Sequence, residues 1–184
     1  MEIMTLVVTG PVGAGKSTFI RTVSEIDVVD TDRRATDETA SLKHRTTVAF
    51  DFGRLQFGRN RALHLYGTPG QSRFDFMWDI LIRKAQGYVV LVAANRPNEF
   101  RYSRRILTFM QHRSRVPLII AISHSDCEGA WTPENILVAM GYNAQKPAPP
   151  VVIVDPRNRA SVAKSIVKLV QSAMQYTRSF SKAG

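Results

Sequence analysis

Gly10-Pro11-Val12-Gly13-Ala14-Gly15-Lys16-Ser17 is the stretch that decides the fold. It satisfies G-x-x-x-x-G-K-[ST], the spacing of a loop that cradles phosphate. An apolar run over residues 4–9 reads as a strand ending at Thr9, and a helical pattern follows over 17–25. The chemistry explains the residue types. Glycines let backbone N–H groups turn inward around a β-phosphate. Lys16 reaches the β- and γ-phosphates, and the Ser17 hydroxyl suits Mg²⁺. The helix N-terminus adds partial positive charge. The contact set expected here is Gly10, Val12, Gly13, Ala14, Gly15, Lys16, Ser17 and Thr18.

Outward from that loop, short β-branched runs alternate with amphipathic stretches, the pattern of an α/β domain with a mainly parallel sheet. Six strands are predicted, over 4–9, 47–52, 63–66, 88–93, 117–123 and 151–154. Tyr88-Val89-Val90-Leu91-Val92 is continuously apolar, as suits a strand covered on both faces. Helices are predicted over 17–25, 98–111, 133–140 and 161–176, the third with Thr132 as N-cap, Pro133 first and Gly141 past its end. Residues 27–45 are polar and show no period. The turn at Gly58-Arg59-Asn60-Arg61 reads as an antiparallel hairpin between the second and third strands.

The 184 residues suit one domain over 1–184, long enough to bury a core unaided. No apolar run approaches the roughly 20 residues of a membrane-spanning helix. The lone Cys127 has no internal disulfide partner, and no leader pattern opens the chain. The expectation is therefore a cytoplasmic protein. The net charge of +10 favours anionic partners without choosing among them.

The polar segment ending in Arg45-Thr46-Thr47, the strand with Thr47-Val48-Ala49-Phe50-Asp51-Phe52, and Gly67-Thr68-Pro69-Gly70-Gln71 follow the phosphate loop in order. In this the chain resembles Ras-like small GTPases, most of all the bacterial branch of MglA and the GTPases of roadblock-type operons. That branch carries T-x-x-F-D-F in the second strand and T-P-G-Q or V-P-G-Q in switch II. The resemblance covers nearly the whole chain. It implies a P-loop NTPase fold: an α/β domain with a Ras-like, six-stranded, mostly parallel mixed sheet and helices on both faces. It further implies GTP and GDP as ligands, Mg²⁺, and slow GTP hydrolysis accelerated by a roadblock/LC7-type activator protein. Thr47 would complete the Mg²⁺ shell, with the adjacent Thr46 its rival. Gly70 would donate its N–H to the γ-phosphate and Gln71 would orient the attacking water. Residues 27–47 and 67–79 would form the switches.

Three departures separate this chain from the pattern. The aspartate of D-x-x-G is replaced by Gly67, which leaves Asp51 as the nearest acid for the metal; a solvent-facing strand residue is its alternative. The guanine-reading N-K-x-D appears as Ser123-His124-Ser125-Asp126. Asp126 keeps the carboxylate that accepts from guanine N1–H and the 2-amino group, and His124 offers a ring in place of the lysine stem. Its alternative is a turn whose Asp caps backbone N–H groups. The S-A-K loop is replaced by Asp155-Pro156-Arg157; Pro156 has no N–H to give guanine O6, so the Arg157 N–H is the candidate, a plain turn being the alternative.

Arg101, Arg104, Arg105 and His112 fall near one face of the 98–111 helix, a solvated basic face or a dock for an acidic partner or anionic surface. Apart from Tyr102, nothing aromatic is interleaved there as a single-strand nucleic-acid platform needs. Arg33, Arg34 and Arg45 are candidates for an arginine finger supplied in cis, Arg45 standing closest to the threonines. The expected function is a GTP-binding switch regulated by an activator, with an unidentified effector. The alternatives are a non-catalytic nucleotide-binding scaffold and a small-molecule P-loop kinase, though the chain has no visible arginine-rich lid insertion.

Overall fold

The structure, a computed structural model, describes residues 2–30, 51–70 and 81–181. Its elements run β1 (Glu2–Thr9), α1 (Lys16–Val23), β2 (Val29–Asp30), β3 (Asp51–Phe57), β4 (Arg61–Gly67), β5 (Gly87–Ala93), a 3-10 turn (Pro97–Glu99), α2 (Phe100–Arg113), β6 (Leu118–Ser123), α3 (Pro133–Ala139), β7 (Val151–Ile153) and α4 (Arg159–Ser181). The strands form one sheet in the order β2-β3-β4-β1-β5-β6-β7. β1 lies parallel to both β4 and β5, and β6 and β7 continue the parallel run. Only β3 runs against its neighbours.

The α/β architecture is as the periodicity predicts, with two corrections. The sheet holds a seventh strand, β2, paired through Val29↔Phe52 and Asp30↔Asp51. Two residues are too few to leave a period in sequence, and these sit in a polar stretch. The second predicted strand, placed at 47–52, has its described part at Asp51–Phe57. Its continuation through Gly53-Arg54-Leu55-Gln56 mixes polar with apolar residues and runs from buried Gly53 to exposed Gln56, so it lacks the apolar run that marks the central strands. Residues 47–50 lie outside the described residues. The hairpin at Gly58 is as expected, Phe57 pairing with Arg61.

Alternation along the central strands divides the core between two faces. Leu6, Val8, Val89, Leu91, Ile119 and Ala121 turn toward α1 and α4, where Phe19, Ile20, Val162, Ile166 and Leu169 are buried. Val7, Tyr88, Val90, Val92, Ile120 and Ile122 turn toward α2 and α3, against Ile106, Leu107, Met110 and Ile136. Each fully buried Val, Leu, Ile, Phe or Met among them contributes roughly 1.5–3 kcal/mol by leaving water. β5 is buried at all seven positions because both faces are covered. α3 begins as its sequence predicts: Thr132 accepts a hydrogen bond from the Asn135 N–H, Pro133 opens the helix and Gly141 follows at φ 81°.

The sheet's direction assembles the site. The loops after β1, β4, β5, β6 and β7 all leave the same edge, the carboxyl ends of the parallel strands. β3 is antiparallel, so its first residue, Asp51, starts at that edge too, opposite Gly67. An open α/β sheet binds ligands there. Among the described residues no helix is long and apolar enough to cross a membrane.

Candidate nucleotide site

The loop between β1 and α1 turns through Gly10, Gly13 and Gly15, at φ of 142°, 76° and 98°. These are conformations that side-chain-bearing residues rarely adopt. Lys16 is 8% exposed, and its ammonium donates to the carbonyls of Gly10 at 2.9 Å and Pro11 at 2.7 Å. Burial lowers its pKa to about 8, against the opposing pull of the Asp51 carboxylate. The lysine is thus desolvated and held inside the loop that its sequence spacing assigns to phosphate.

Ser17 donates its hydroxyl to Asp51 Oδ2 at 2.6 Å. This joins the expected metal hydroxyl to the acid nominated in place of the missing switch II aspartate. A Cβ on Gly67 would lie 3.2 Å from both Asp51 Cβ and Oδ2, and 2.9 Å from Ile20 Cδ1. The Asp51 carboxylate therefore fills the space beside Gly67, on the next strand. A hydroxyl and one carboxylate fit Mg²⁺, which takes its remaining ligands from water and substrate phosphates. Among the described residues no cluster of three His, Cys, Asp or Glu forms an all-protein metal cage.

Gly70 closes over the loop. A Cβ there would lie 2.7 Å from both Val12 N and Lys16 Nζ. The approach is fixed from below by a buried hydroxyl pair, Thr68 Oγ1 to Thr9 Oγ1 at 2.8 Å, and by the Thr68 N–H on the Val8 carbonyl at 2.9 Å. Thr68 belongs to the T-P-G-Q motif, but nothing in the sequence ties it to Thr9; their alignment depends on the parallel pairing of β1 with β4. Thr46, Thr47 and Gln71, together with Arg33, Arg34 and Arg45, lie outside the described residues.

At the other end, a cavity of about 130 Å³ is lined by Gly15, Thr18, His124, Asp126, Cys127, Asp155, Pro156 and Arg157. The two segments picked as base readers thus meet beside the phosphate loop. Ser123 is fully buried and donates to the Ala14 carbonyl at 2.8 Å, tying β6 to the loop. Its role is to brace the loop from beneath the cavity. His124 adopts φ 57°, with Nδ1 2.9 Å from Ser123 Oγ, and its ring joins the cavity wall. Pro156 packs on Gly15, and its carbonyl accepts from Thr22 Oγ1 at 2.7 Å.

Arg157 differs from its sequence reading. Its backbone N–H donates to Asp155 Oδ1 at 3.0 Å, so this donor is used inside the turn. Its guanidinium bridges the two acids, Nε to Asp155 Oδ1 and Nη2 to Asp126 Oδ2, each at 3.0 Å. Hydrogen bonding to Arg157 holds the Asp155 pKa below the usual carboxylate value. The exposed bridge presents a carboxylate and a guanidinium side by side at the cavity. Arg96, which no motif contains, was missed: its Nη1 donates to the Val12 carbonyl at 3.2 Å. Its position just after a central parallel strand is the signal available in sequence.

On the far side of α2, Arg101, Arg104 and Arg105 line an open groove with Tyr102, Thr108 and Phe109. The three arginines thus share one groove, whereas His112 is exposed on α2 and is not among its lining residues.

A glycine loop with a buried lysine, at the carboxyl edge of a sheet with helices on both faces, defines a P-loop nucleotide-binding protein. A family model described as a conserved hypothetical ATP binding protein matches residues 26–141, and the chain belongs to that family. The match begins beyond the phosphate loop. The chain is also 25% identical over 143 residues to ADP-ribosylation factor-like protein 6 of Caenorhabditis elegans, covering 75% of this chain and 69% of that one. An uncharacterized protein of Methanocaldococcus jannaschii is 34% identical over 50 residues, 27% of this chain and 32% of the relative.

Proposed function

We propose that this chain is a guanine-nucleotide switch that binds GTP with Mg²⁺ and hydrolyses it slowly. The observation that carries the reading is the meeting of Asp126 and Arg157 in a cavity that shares Gly15 and Thr18 with the phosphate loop. A carboxylate complements guanine N1–H and its 2-amino group, and neighbouring guanidinium donors complement O6; adenine reverses that pattern. Likeness to an ADP-ribosylation factor-like protein supports the same class. The family description favours ATP, which is the second reading. Titration of wild type and Asp126→Asn with GTP, ATP and XTP separates the two. The guanine reading expects GTP preferred by wild type and XTP gaining in the variant. Equal GTP and ATP affinity in wild type would falsify it.

In hydrolysis, water attacks the γ-phosphorus and the bond to the bridging oxygen breaks, leaving GDP and phosphate. Ser17 and Asp51 would hold Mg²⁺, with Thr47 joining them by the small-GTPase resemblance, and the ion would supply positive charge beside the phosphates. Lys16 steadies the same negative charge, the Gly70 N–H faces the γ-phosphate and Gln71 orients the water. Arg45 is the finger in cis, brought inward by a roadblock-type activator. The bacterial MglA-like branch, the cytoplasm as location and the unidentified effector belong to this same proposal. Single-turnover hydrolysis with and without such an activator, in wild type and Gln71→Ala, is the test. An activated rate unchanged in Gln71→Ala removes Gln71 from its role. No hydrolysis under any condition favours the non-catalytic scaffold.

A further inference from the structure

We propose that Arg96 is a triphosphate-contacting arginine of this site, built into the turn after β5. The inference rests on the P-loop reading above and extends it to a residue outside every motif.

Three observations converge on it. First, the guanidinium lies directly against the phosphate loop: a Cβ on Gly13 would stand 2.7 Å from Arg96 Cζ. Any side chain at position 13 would displace the arginine, so the glycine there accommodates Arg96 as well as its own φ of 76°. Second, Arg96 and Gly70 bracket the same residue. Arg96 Nη1 reaches the Val12 carbonyl at 3.2 Å, and a Cβ on Gly70 would lie 2.7 Å from the Val12 N. Gly70 also abuts Lys16 Nζ, which marks this as the γ-phosphate end of the loop. Third, the arginine has no carboxylate partner among the described residues. One of its five N–H donors is engaged on Val12, leaving a fork that suits phosphate oxygens bidentately.

The turn that presents it is firmly built. The Arg96 N–H donates to Ala93 at 3.1 Å, its carbonyl accepts from the Glu99 N–H at 3.0 Å, and Ala94 donates to Ser123 at 2.8 Å. Asn95 on the same turn keeps a buried Oδ1 without a hydrogen-bond partner among the described residues. Phosphate oxygens offer that acceptor no donor, so the case for this turn rests on the Arg96 guanidinium alone. Because Arg96 is exposed and hangs from one hydrogen bond, it is free to exchange the Val12 carbonyl for a phosphate oxygen without disturbing the core.

The test measures equilibrium affinity for a non-hydrolysable guanosine triphosphate and for GDP, in wild type, Arg96→Ala, Arg96→Lys and Lys16→Ala, with each variant's melting temperature alongside. Loss of a charge-assisted contact predicts about a tenfold or greater fall in triphosphate affinity for Arg96→Ala, with partial recovery in Arg96→Lys. GDP affinity should change by less than about threefold, since the contact is at the γ end. Added guanidinium should restore triphosphate binding to Arg96→Ala and not to Lys16→Ala. Equal losses for both nucleotides would make Arg96 a brace of the Val12 carbonyl and overturn the proposal. So would wild-type triphosphate affinity in Arg96→Ala, with the P-loop reading left standing. Failure of wild type to bind any nucleotide overturns both. A melting temperature matching wild type is expected of Arg96→Ala; if it falls, Arg96→Lys and the guanidinium rescue carry the decision.

Discussion

Asp51, the first described residue of β3, accepts the hydroxyl proton of Ser17, the second residue of α1, at 2.6 Å. This contact joins the helix that follows the phosphate loop to a strand that runs against its neighbours. It also gives a carboxylate to a site whose own strand end carries Gly67.

That relationship predicts the effect of moving the carboxylate. Asp51→Asn should weaken Mg²⁺-dependent triphosphate binding by about tenfold, the scale of one charge-assisted contact. Gly67→Asp alone should also bind worse, because a second carboxylate crowds the first. The double variant Asp51→Gly with Gly67→Asp should recover part of the loss, since the space beside Gly67 is then vacated. Calorimetric titration with and without Mg²⁺ decides it. A double variant no better than Asp51→Asn means the acid must come from β3.

Lys16 predicts a pH signature. Its folded pKa of about 8 lies below the ordinary 10.5, chiefly through burial. Below pH 8 both folded and unfolded forms carry the proton, and the cost of burying the charge is fully felt. Between about pH 8 and 10.5 the unfolded chain binds a proton that the folded chain lacks, so this group's contribution to stability rises with pH. The full span is on the order of 3 kcal/mol. Denaturant titrations across that range should show Lys16→Met losing this rise relative to wild type. Triphosphate binding favours the charged amine, so wild-type affinity should fall above pH 8 and approach a tenfold loss per pH unit. A flat affinity profile from pH 7 to 10 would show that Lys16 keeps its proton in the free protein.

Ser123 predicts a structural cost. Its fully buried hydroxyl is a donor to the Ala14 carbonyl. Ser123→Ala leaves that carbonyl without this donor, which costs roughly 1–3 kcal/mol of unfolding free energy. Triphosphate affinity should fall with it, because the tie holds the middle of the phosphate loop to β6. Full stability in urea denaturation would mean that Ala14 finds another donor.

The central strands were legible because both of their faces are covered, which writes a continuous apolar run. The phosphate loop was legible because its glycines, lysine and hydroxyl are adjacent along the chain. β2 was not, being two residues long, and the far half of β3 was not, because it mixes polar with apolar residues.

The sequence by itself determined a P-loop α/β fold and singled out the short segments proposed for phosphate and base contact. Such segments need little beyond local backbone geometry and periodic burial, both written in neighbouring residues. Only the tertiary structure decided how distant residues share one point. Antiparallel pairing set Asp51 opposite Gly67 and beside Ser17. Burial made Ser123 a brace for Ala14, and two acids drew the exposed Arg157 guanidinium into a bridge. The turn after β5 laid Arg96 on Gly13, 83 positions apart in the sequence by subtraction of 13 from 96. No spacing rule connects such pairs, because sheet order and strand direction, rather than distance along the chain, bring their side chains together.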